Sequence, residues 1–119
     1  MTNDQMQELD KELAELLGWH RIMQGNFYGD TSRFVGDNPS LNIVNGFIPR
    51  WTQDDGAAFR LAVDNNLEYV FDDESIAVYD SVDELKEWSN TEIKAFPDIF
   101  SAVRVAIVQA TINKLKGNK

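Results

Sequence analysis

The amino-acid sequence predicts a single α+β domain, spanning residues 1–119, in which a small antiparallel sheet packs with three to four helices. Apolar residues recur at three- and four-residue spacing near both ends of the chain, which is typical of helices. Two short runs rich in aromatic and β-branched residues flank an acidic turn, which predicts a hairpin over residues 67–79. Because two strands alone are marginally stable, we expect a third strand from residues 19–48, giving an αβα-sandwich-like layout.

The first predicted helix covers residues 3–17. Thr2 or Asn3 can cap its first turn, and Gly18 is suited to end it. One apolar stripe with the spacing of a helix face consists of Met6, Leu9, Leu13, Leu16 and Leu17.

The stretch from residue 19 to residue 51 is the hardest to assign. Residues 19–23 have the composition of a short strand. The Asn45-Gly46 pair, between the apolar runs 41–44 and 47–48, predicts a tight hairpin. Glycine and proline interrupt the remainder, so the sequence predicts no long helix or strand in residues 24–48. A structureless stretch of more than ~15 residues is uncommon in a compact domain unless it is functional or mobile, so this segment is where we expect a binding site.

A second helix is predicted to begin at Thr52, because residues 52–55 resemble a capping box with Asp in place of Glu. It ends at residues 65–66, directly before the hairpin. The strands of that hairpin have one apolar face each, formed by Leu67, Tyr69 and Phe71 on the first and by Ile76 and Val78 on the second.

Two further helices are predicted towards the C-terminus. Residues 81–84 form a capping box that opens a short helix through Leu85 and Trp88. Pro97 suits the first turn of a final helix that ends near Lys116. Apolar residues cover most of its circumference, so we expect this helix to be buried on several sides, as the spine of the fold.

Two short segments carry a resemblance to a known protein family. The first is Glu8-Leu9-Asp10-Lys11-Glu12-Leu13-Ala14, followed by Leu17-Gly18-Trp19. The second is Ile48-Pro49-Arg50-Trp51-Thr52-Gln53-Asp54, followed by Ala57-Ala58-Phe59 and Leu61. Together they resemble the phage αβα-sandwich domain family, whose closing alanine-rich helix is similar to the one that holds Ala102, Val103, Ala106 and Ala110. The resemblance implies an αβα-sandwich fold and a phage or prophage origin, and it carries no catalytic residue.

Acidic residues are concentrated in the middle of the chain. The net charge is −9, and residues 54–92 hold twelve acidic residues against Arg60 and Lys86. This field repels phosphates, which disfavours direct nucleic-acid binding, and it suits a basic protein partner. No apolar run reaches the ~20 residues needed to span a bilayer, so we expect no membrane partner. The absence of cysteine fits a reducing cytosol, and the resemblance implies a bacterial host cell, so we expect a cytoplasmic location there.

Few residues of the sequence suit catalysis or metal binding. His20 is the only histidine and there is no cysteine, so a multi-histidine or thiolate metal site is excluded. Asp54 and Asp55 are adjacent helical residues that point about 100° apart, so they do not face each other as a carboxylate pair. We predict no cofactor, no metal site and no catalytic residue, and we favour a non-enzymatic protein.

The residues predicted to contact a partner lie around the N-terminus of the second helix. Trp and Tyr dominate interface hot spots, although Trp residues at the junctions of elements more often pack into the core. Trp51 is the one expected to be partly exposed, because it lies between Arg50 and the helix cap. The predicted set is Trp51, Arg50, Asp54, Asp55, Trp19, His20 and Tyr28.

Two hypotheses about function remain open at this point. The first is a phage or prophage accessory protein that binds another protein without catalysis, and the acidic segment is then either a solvated face or the surface that inhibits a host protein. The alternative is a small-ligand-binding protein or minor enzyme with a pocket near residues 19–52. A homodimer through the edge of the hairpin is compatible with either hypothesis.

Overall fold

A computed structural model describes residues 1–25, 33–83 and 86–117. The α+β class predicted from the sequence is confirmed. Two short 3-10 turns, at residues 39–41 and 93–95, lie between the regular elements. In chain order, the described helices and strands are α1 (Asn3–Leu16), β1 (His20–Gln24), β2 (Phe34–Asn38), β3 (Ile43–Phe47), α2 (Asp55–Asp64), β4 (Leu67–Phe71), β5 (Ser75–Asp80), β6 (Glu87–Glu92) and α3 (Ile99–Lys116).

The strands form two antiparallel sheets, so the prediction of one sheet is wrong. β1, β2 and β3 make the first sheet, and β4, β5 and β6 make the second, each in chain order. The predicted hairpin is present as β4 and β5, but its third strand is β6 and does not come from residues 19–48. A strand does form close to residues 19–23, and it pairs with β2 instead.

β6 occupies a segment in which the sequence predicts a short helix through Trp88. Residues 84–85 lie outside the described residues, but Trp88 is part of the strand. The turn before it is organised by Asp80, whose Oδ1 accepts the N–H groups of Val82 and Asp83. Pairing with β5 then supplies a ladder of hydrogen bonds, and this tertiary contact outweighs the local capping signal.

α3 lies between the second sheet on one side and α1 and α2 on the other. The prediction that this helix is buried on several sides is confirmed. The described layers therefore place a helix in the middle, whereas a sandwich of the predicted type places a sheet there. The α3 residues that line its two sides are Ala102, Ala106 and Ala110 towards the second sheet, and Ile107, Val108 and Ile112 towards α1 and α2.

The predicted starts of the helices are correct for α1 and wrong for α2 and α3. Thr2 and Gln5 form a reciprocal capping box at α1. At α2 the cap is Asp54, which accepts the N–H of Ala57 at 3.1 Å, and not Thr52. Thr52 lies before the cap and donates both its N–H and its hydroxyl to Asp10. At α3 the cap is Asp98, which accepts the N–H of Ser101, so Pro97 precedes the cap and is not in the first turn.

The predicted hairpin turn at Asn45-Gly46 is also wrong, because both residues lie within β3. Asn45 has a φ of +52°, and its N–H donates to the carboxylate of Asp37 at 2.8 Å. This left-handed residue bends the strand, and the ladder between β2 and β3 shifts its register. The actual connection of the two strands is the 3-10 turn at 39–41, which ends in left-handed Asn42.

Candidate functional site

An exposed groove lined by aromatic side chains runs between α2, β4 and the N-terminal half of α3. We call it the aromatic groove, and its volume is about 270 Å³. Phe59 is 63% exposed and Phe100 is 65% exposed, and three further apolar side chains of the groove are exposed as well. The residues that form its apolar surface are Ala58, Phe59, Tyr69, Phe71, Ile99, Phe100, Val103 and Ile107.

Edge position explains why the β4 aromatics remain exposed. Tyr69 lies opposite Val78, and Phe71 lies opposite Ile76, so all four side chains point to the face that α3 covers. Val78 and Ile76 are fully buried on the central strand, whereas β4 is at the edge of the sheet, where α3 covers less of that face. The rings of Tyr69 and Phe71 meet edge to face, with centroids 5.8 Å apart.

One ion pair supplies the charged groups of the groove. Arg104 Nη1 donates to Asp55 Oδ1 at 2.6 Å, its Nε donates to the backbone oxygen of Thr52 at 3.0 Å, and its Nη2 donates to Ser101 Oγ at 3.1 Å. The guanidinium is largely buried, while the Asp55 carboxylate is largely exposed. The groove therefore offers an apolar surface that ends in an accessible acidic group.

Behind the groove, a buried polar contact connects α1 to the segment before α2. Asp10 accepts the N–H of Thr52 at 3.0 Å and its hydroxyl at 2.8 Å. Both residues are buried, and desolvation raises the pKa of Asp10 to about 6, although the two hydrogen bonds and the charge of Arg50 act in the opposite direction. Since Thr52 also binds Arg104, this contact fixes the position of the acidic end of the groove.

The predicted partner-binding residues are only partly brought together. Trp19 and Trp51 are both 6% exposed, so the expectation that Trp51 is partly exposed is wrong. Its indole packs in the core with Ile48 and Leu61. Trp51 is thus a core residue, whereas the sequence predicts that it contacts a partner.

The other residues of the predicted set are spread over the surface. Asp55 lies in the aromatic groove, and Asp54 caps α2 beside it. Arg50 is half-buried near Asp10, and His20 is exposed on β1, in the first sheet. Tyr28 lies outside the described residues.

A second cavity lies between α2 and the segments around the first sheet, within the region where the sequence predicts a small-molecule pocket. Its volume is about 460 Å³, and Trp19 and Trp51 form part of its wall. Arg60, Asp64 and Asn38 add polar groups to it.

Acidic residues of the second sheet take part in structural contacts. Asp80 Oδ2 lies 3.1 Å from Lys114 Nζ, and the backbone N–H of Val82 together with this ammonium holds the pKa of Asp80 well below its usual range. In the described parts of the chain, no three His, Cys, Asp or Glu residues are grouped so that they could hold a metal ion. The helices described here also include none that is long and apolar enough to cross a membrane.

Sequence reasoning missed most of the aromatic groove, although a signal for it was present. The predicted face of the hairpin contains Tyr69 and Phe71, and the small apolar stripe of the second helix, which includes Ala58, Leu61 and Ala62, leaves Phe59 on another side. Aromatic residues left out of the stripe of a short helix, beside a sheet edge, indicate an exposed apolar surface.

In comparisons with known proteins, no family model, no curated protein and no solved structure matched this chain. The phage origin implied by the two sequence segments therefore stays a prediction. The segments themselves touch in the structure, because Asp10 belongs to the first and Thr52 to the second.

Proposed function

We propose that this chain is a non-catalytic protein-binding module that takes a basic partner protein on the aromatic groove. The observation that carries the proposal is the exposure of Phe59, Tyr69, Phe71, Ile99 and Phe100 around one concave surface. Contiguous exposed apolar patches are uncommon on monomeric soluble proteins and mark interaction sites. Aromatic residues, Phe and Tyr included, are enriched in protein interfaces.

The charge of the chain supports a basic partner. Residues 54–92 include α2 and the second sheet, and they carry twelve of the twenty acidic residues of the sequence. At the tip between β4 and β5, Asp72, Asp73 and Glu74 are exposed beside Phe71. A negative field around an apolar groove attracts a partner of opposite charge and disfavours phosphates.

A capture experiment from a bacterial lysate tests this function. The immobilised chain is compared with a variant that carries both Phe59→Ser and Phe100→Ser, and bound proteins are quantified by mass spectrometry. We expect a basic protein whose capture falls at least tenfold in the variant, because two hot-spot aromatics are lost. Its capture by the wild type is also expected to fall as salt rises from about 0.05 M to 0.5 M.

A matched control removes two equally exposed apolar side chains elsewhere. Leu41 and Val44 are 61% and 76% exposed and lie at the first sheet, so Leu41→Ser with Val44→Ser changes hydrophobicity without touching the groove. Both double variants should unfold at nearly the wild-type denaturant midpoint. If both double variants lose capture of the protein equally, binding at the groove is contradicted. It is also contradicted if neither double variant changes the capture.

The phage or prophage origin is proposed on the two resembling segments alone. An acidic module that occupies the basic surface of a host protein, and so inhibits it, is the form of the proposal that fits such an origin.

A second candidate function is small-molecule binding in the cavity beside Trp19 and Trp51. Its volume of about 460 Å³ and its mixture of indole, Arg60 and Asp64 support this alternative. A thermal-shift screen with nucleotides and common metabolites tests it. A ligand that raises the unfolding temperature of the wild type, but not of Arg60→Ala, would support the cavity; absence of any such ligand would remove the candidate.

A further inference from the structure

The edge strand β4 borders the aromatic groove along its length. Its neighbour on one side is β5, and no described strand pairs with its other side. Four of its five residues are exposed, and Leu67, Tyr69, Val70 and Phe71 make it an apolar strand. Exposed apolar edges are templates for pairing with another strand, and natural proteins usually protect them.

The hydrogen-bond register shows which backbone groups of β4 face this free side. The N–H of Asp72 donates to the oxygen of Ser75, and the N–H of Ser81 donates to the oxygen of Asn66. In an antiparallel ladder, residues that exchange bonds with the partner strand alternate with residues whose N–H and C=O point away from it. Residues 66, 68, 70 and 72 thus bond to β5, and Tyr69 and Phe71 direct their backbone groups to the open side.

The other three edges among the described strands are interrupted, whereas β4 is regular. The ladders of β1 and β3 with β2 both shift register, next to left-handed Arg21 in β1 and left-handed Asn45 in β3. The ladder of β6 with β5 shifts as well. β4 pairs with β5 over five consecutive residues without a shift. Bulges twist an edge away from partners, so among the described edge strands only β4 presents a straight edge for pairing.

From these observations we propose that the partner adds an extended strand to the free edge of β4. This inference rests on the proposed function, since it describes how the partner occupies the aromatic groove. The added strand would exchange main-chain hydrogen bonds with Tyr69 and Phe71, and the second sheet would grow to four strands. Alternate side chains of the added strand would enter the groove over Phe59 and Phe100.

Charge determines the chemistry of that strand. Glu68 is exposed on β4, and its register neighbours on the same face of the sheet are Tyr79 and then Glu87. Asp55 lies at one end of the groove, and the acidic tip at residues 72–74 follows directly after Phe71. The partner segment is therefore apolar on the side facing the groove and carries Lys or Arg on the alternate positions. A second copy of this chain is disfavoured, because each copy has a net charge of −9.

The test uses a synthetic peptide of about seven residues in which Val or Phe alternates with Lys. Its binding to the whole chain is measured by fluorescence anisotropy, and amide exchange of the chain is followed by NMR. We expect the amide protons of Tyr69 and Phe71 to exchange quickly in the free chain and to become protected by the peptide. The amides of Glu68 and Val70 should be protected in both states, because they already bond to β5.

Backbone methylation of the peptide supplies the control. Two N-methyl groups on its pairing edge remove two main-chain hydrogen bonds and should weaken binding by about tenfold or more. An extended peptide can pair with β4 through either of its two edges. The probe therefore carries a proline at one end, on the edge that is not meant to pair, because proline has no N–H to donate to the ladder. Methylation of that opposite edge should change the affinity by less than about twofold.

Each failure has its own meaning. Binding that perturbs Phe59 and Phe100 but leaves the Tyr69 and Phe71 amides unprotected would overturn strand addition and keep the groove as a binding site. Absence of peptide binding would also overturn it, while groove-dependent capture from lysate would still support the proposed function. A concentration-dependent dimer of the free chain that Tyr69→Pro abolishes would assign the edge to a second copy and overturn the proposal of a basic partner strand.

Discussion

The two sheets of this molecule are similar in size and differ in regularity. In the first, both ladders shift register, Arg21 and Asn45 adopt left-handed conformations, and a β-carbon at Gly36 would lie only 2.9 Å from the backbone oxygen of His20. In the second, the hairpin of β4 and β5 is an unbroken ladder. The first sheet has edges that are poorly suited to pairing, whereas the second leaves the apolar edge of its unshifted strand β4 open.

The regions around the two sheets are also stabilised differently. Buried polar contacts accompany the first sheet: Asn38 donates to the backbone oxygen of Leu17, and Asp10 binds Thr52 close to the end of β3. The second sheet rests on α3 through Ile76 and Val78, which are fully buried and pack with alanine side chains. Its polar contacts with α3 come from the end of β5 and from β6, where Asp80 pairs with Lys114 and Ser89 donates to the backbone oxygen of Ala106. A regular strand held by apolar contact on one side can keep its position while its free edge accepts another strand.

The largest expected effect comes from proline substitutions that distinguish the two sides of β4. The N–H of Val70 belongs to the ladder with β5, so Val70→Pro should lower the free energy of unfolding by about 2 to 4 kcal/mol. The N–H of Tyr69 faces the open side, so Tyr69→Pro should cost only about 1 kcal/mol, and chemical denaturation measures both.

Tyr69→Ala is the control for the side chain, since it removes the ring and keeps the N–H. If Tyr69→Pro is destabilised much more than Tyr69→Ala, and as much as Val70→Pro, then the Tyr69 N–H is engaged in the folded chain. The edge of β4 would in that case be closed, and the contrast between the sheets would disappear.

The same contrast explains which parts of the fold the sequence predicts. The β4–β5 hairpin and the helices α1 and α3 follow from local patterns: alternation of apolar residues, a capping box at Thr2, and a continuous apolar surface. The first sheet depends on left-handed residues whose effect appears only when neighbouring strands meet. Asn45-Gly46 has the composition of a turn, but Gly46 pairs with Gly36, and Asn45 lies at the register shift, where its N–H donates to Asp37.

The candidate site was predictable only in part for a related reason. The sequence indicates that Tyr69 and Phe71 share a face, but not that α3 covers β5 more fully than β4. It also indicates that Trp51 precedes a helix, while its burial depends on packing against Ile48 and Leu61 from other parts of the core. The exposure of a side chain depends on contacts between different segments of the chain. The periodicity of one segment therefore does not predict it.

A smaller effect concerns the buried carboxylate beside the first sheet. Burial raises the pKa of Asp10 to about 6, above the ~3.9 of an unfolded chain, so the folded state holds this proton more tightly. The contribution of Asp10 to the free energy of unfolding should therefore be largest below about pH 4. It should fall by about 2 to 3 kcal/mol as the pH rises to about 6.

Two substitutions at Asp10 separate charge from hydrogen bonding. Asp10→Asn can still accept the Thr52 N–H and donate to the Thr52 hydroxyl, so denaturation midpoints should lose their slope between pH 4 and 6 and match or exceed the wild type at pH 7. Asp10→Ala leaves the buried Thr52 N–H unpaired and should cost about 1 to 3 kcal/mol. If Asp10→Asn keeps the wild-type slope, the slope originates in other acids. The buried polar contact near the first sheet would then not impose an electrostatic cost, and the two halves of the molecule would differ in backbone regularity alone.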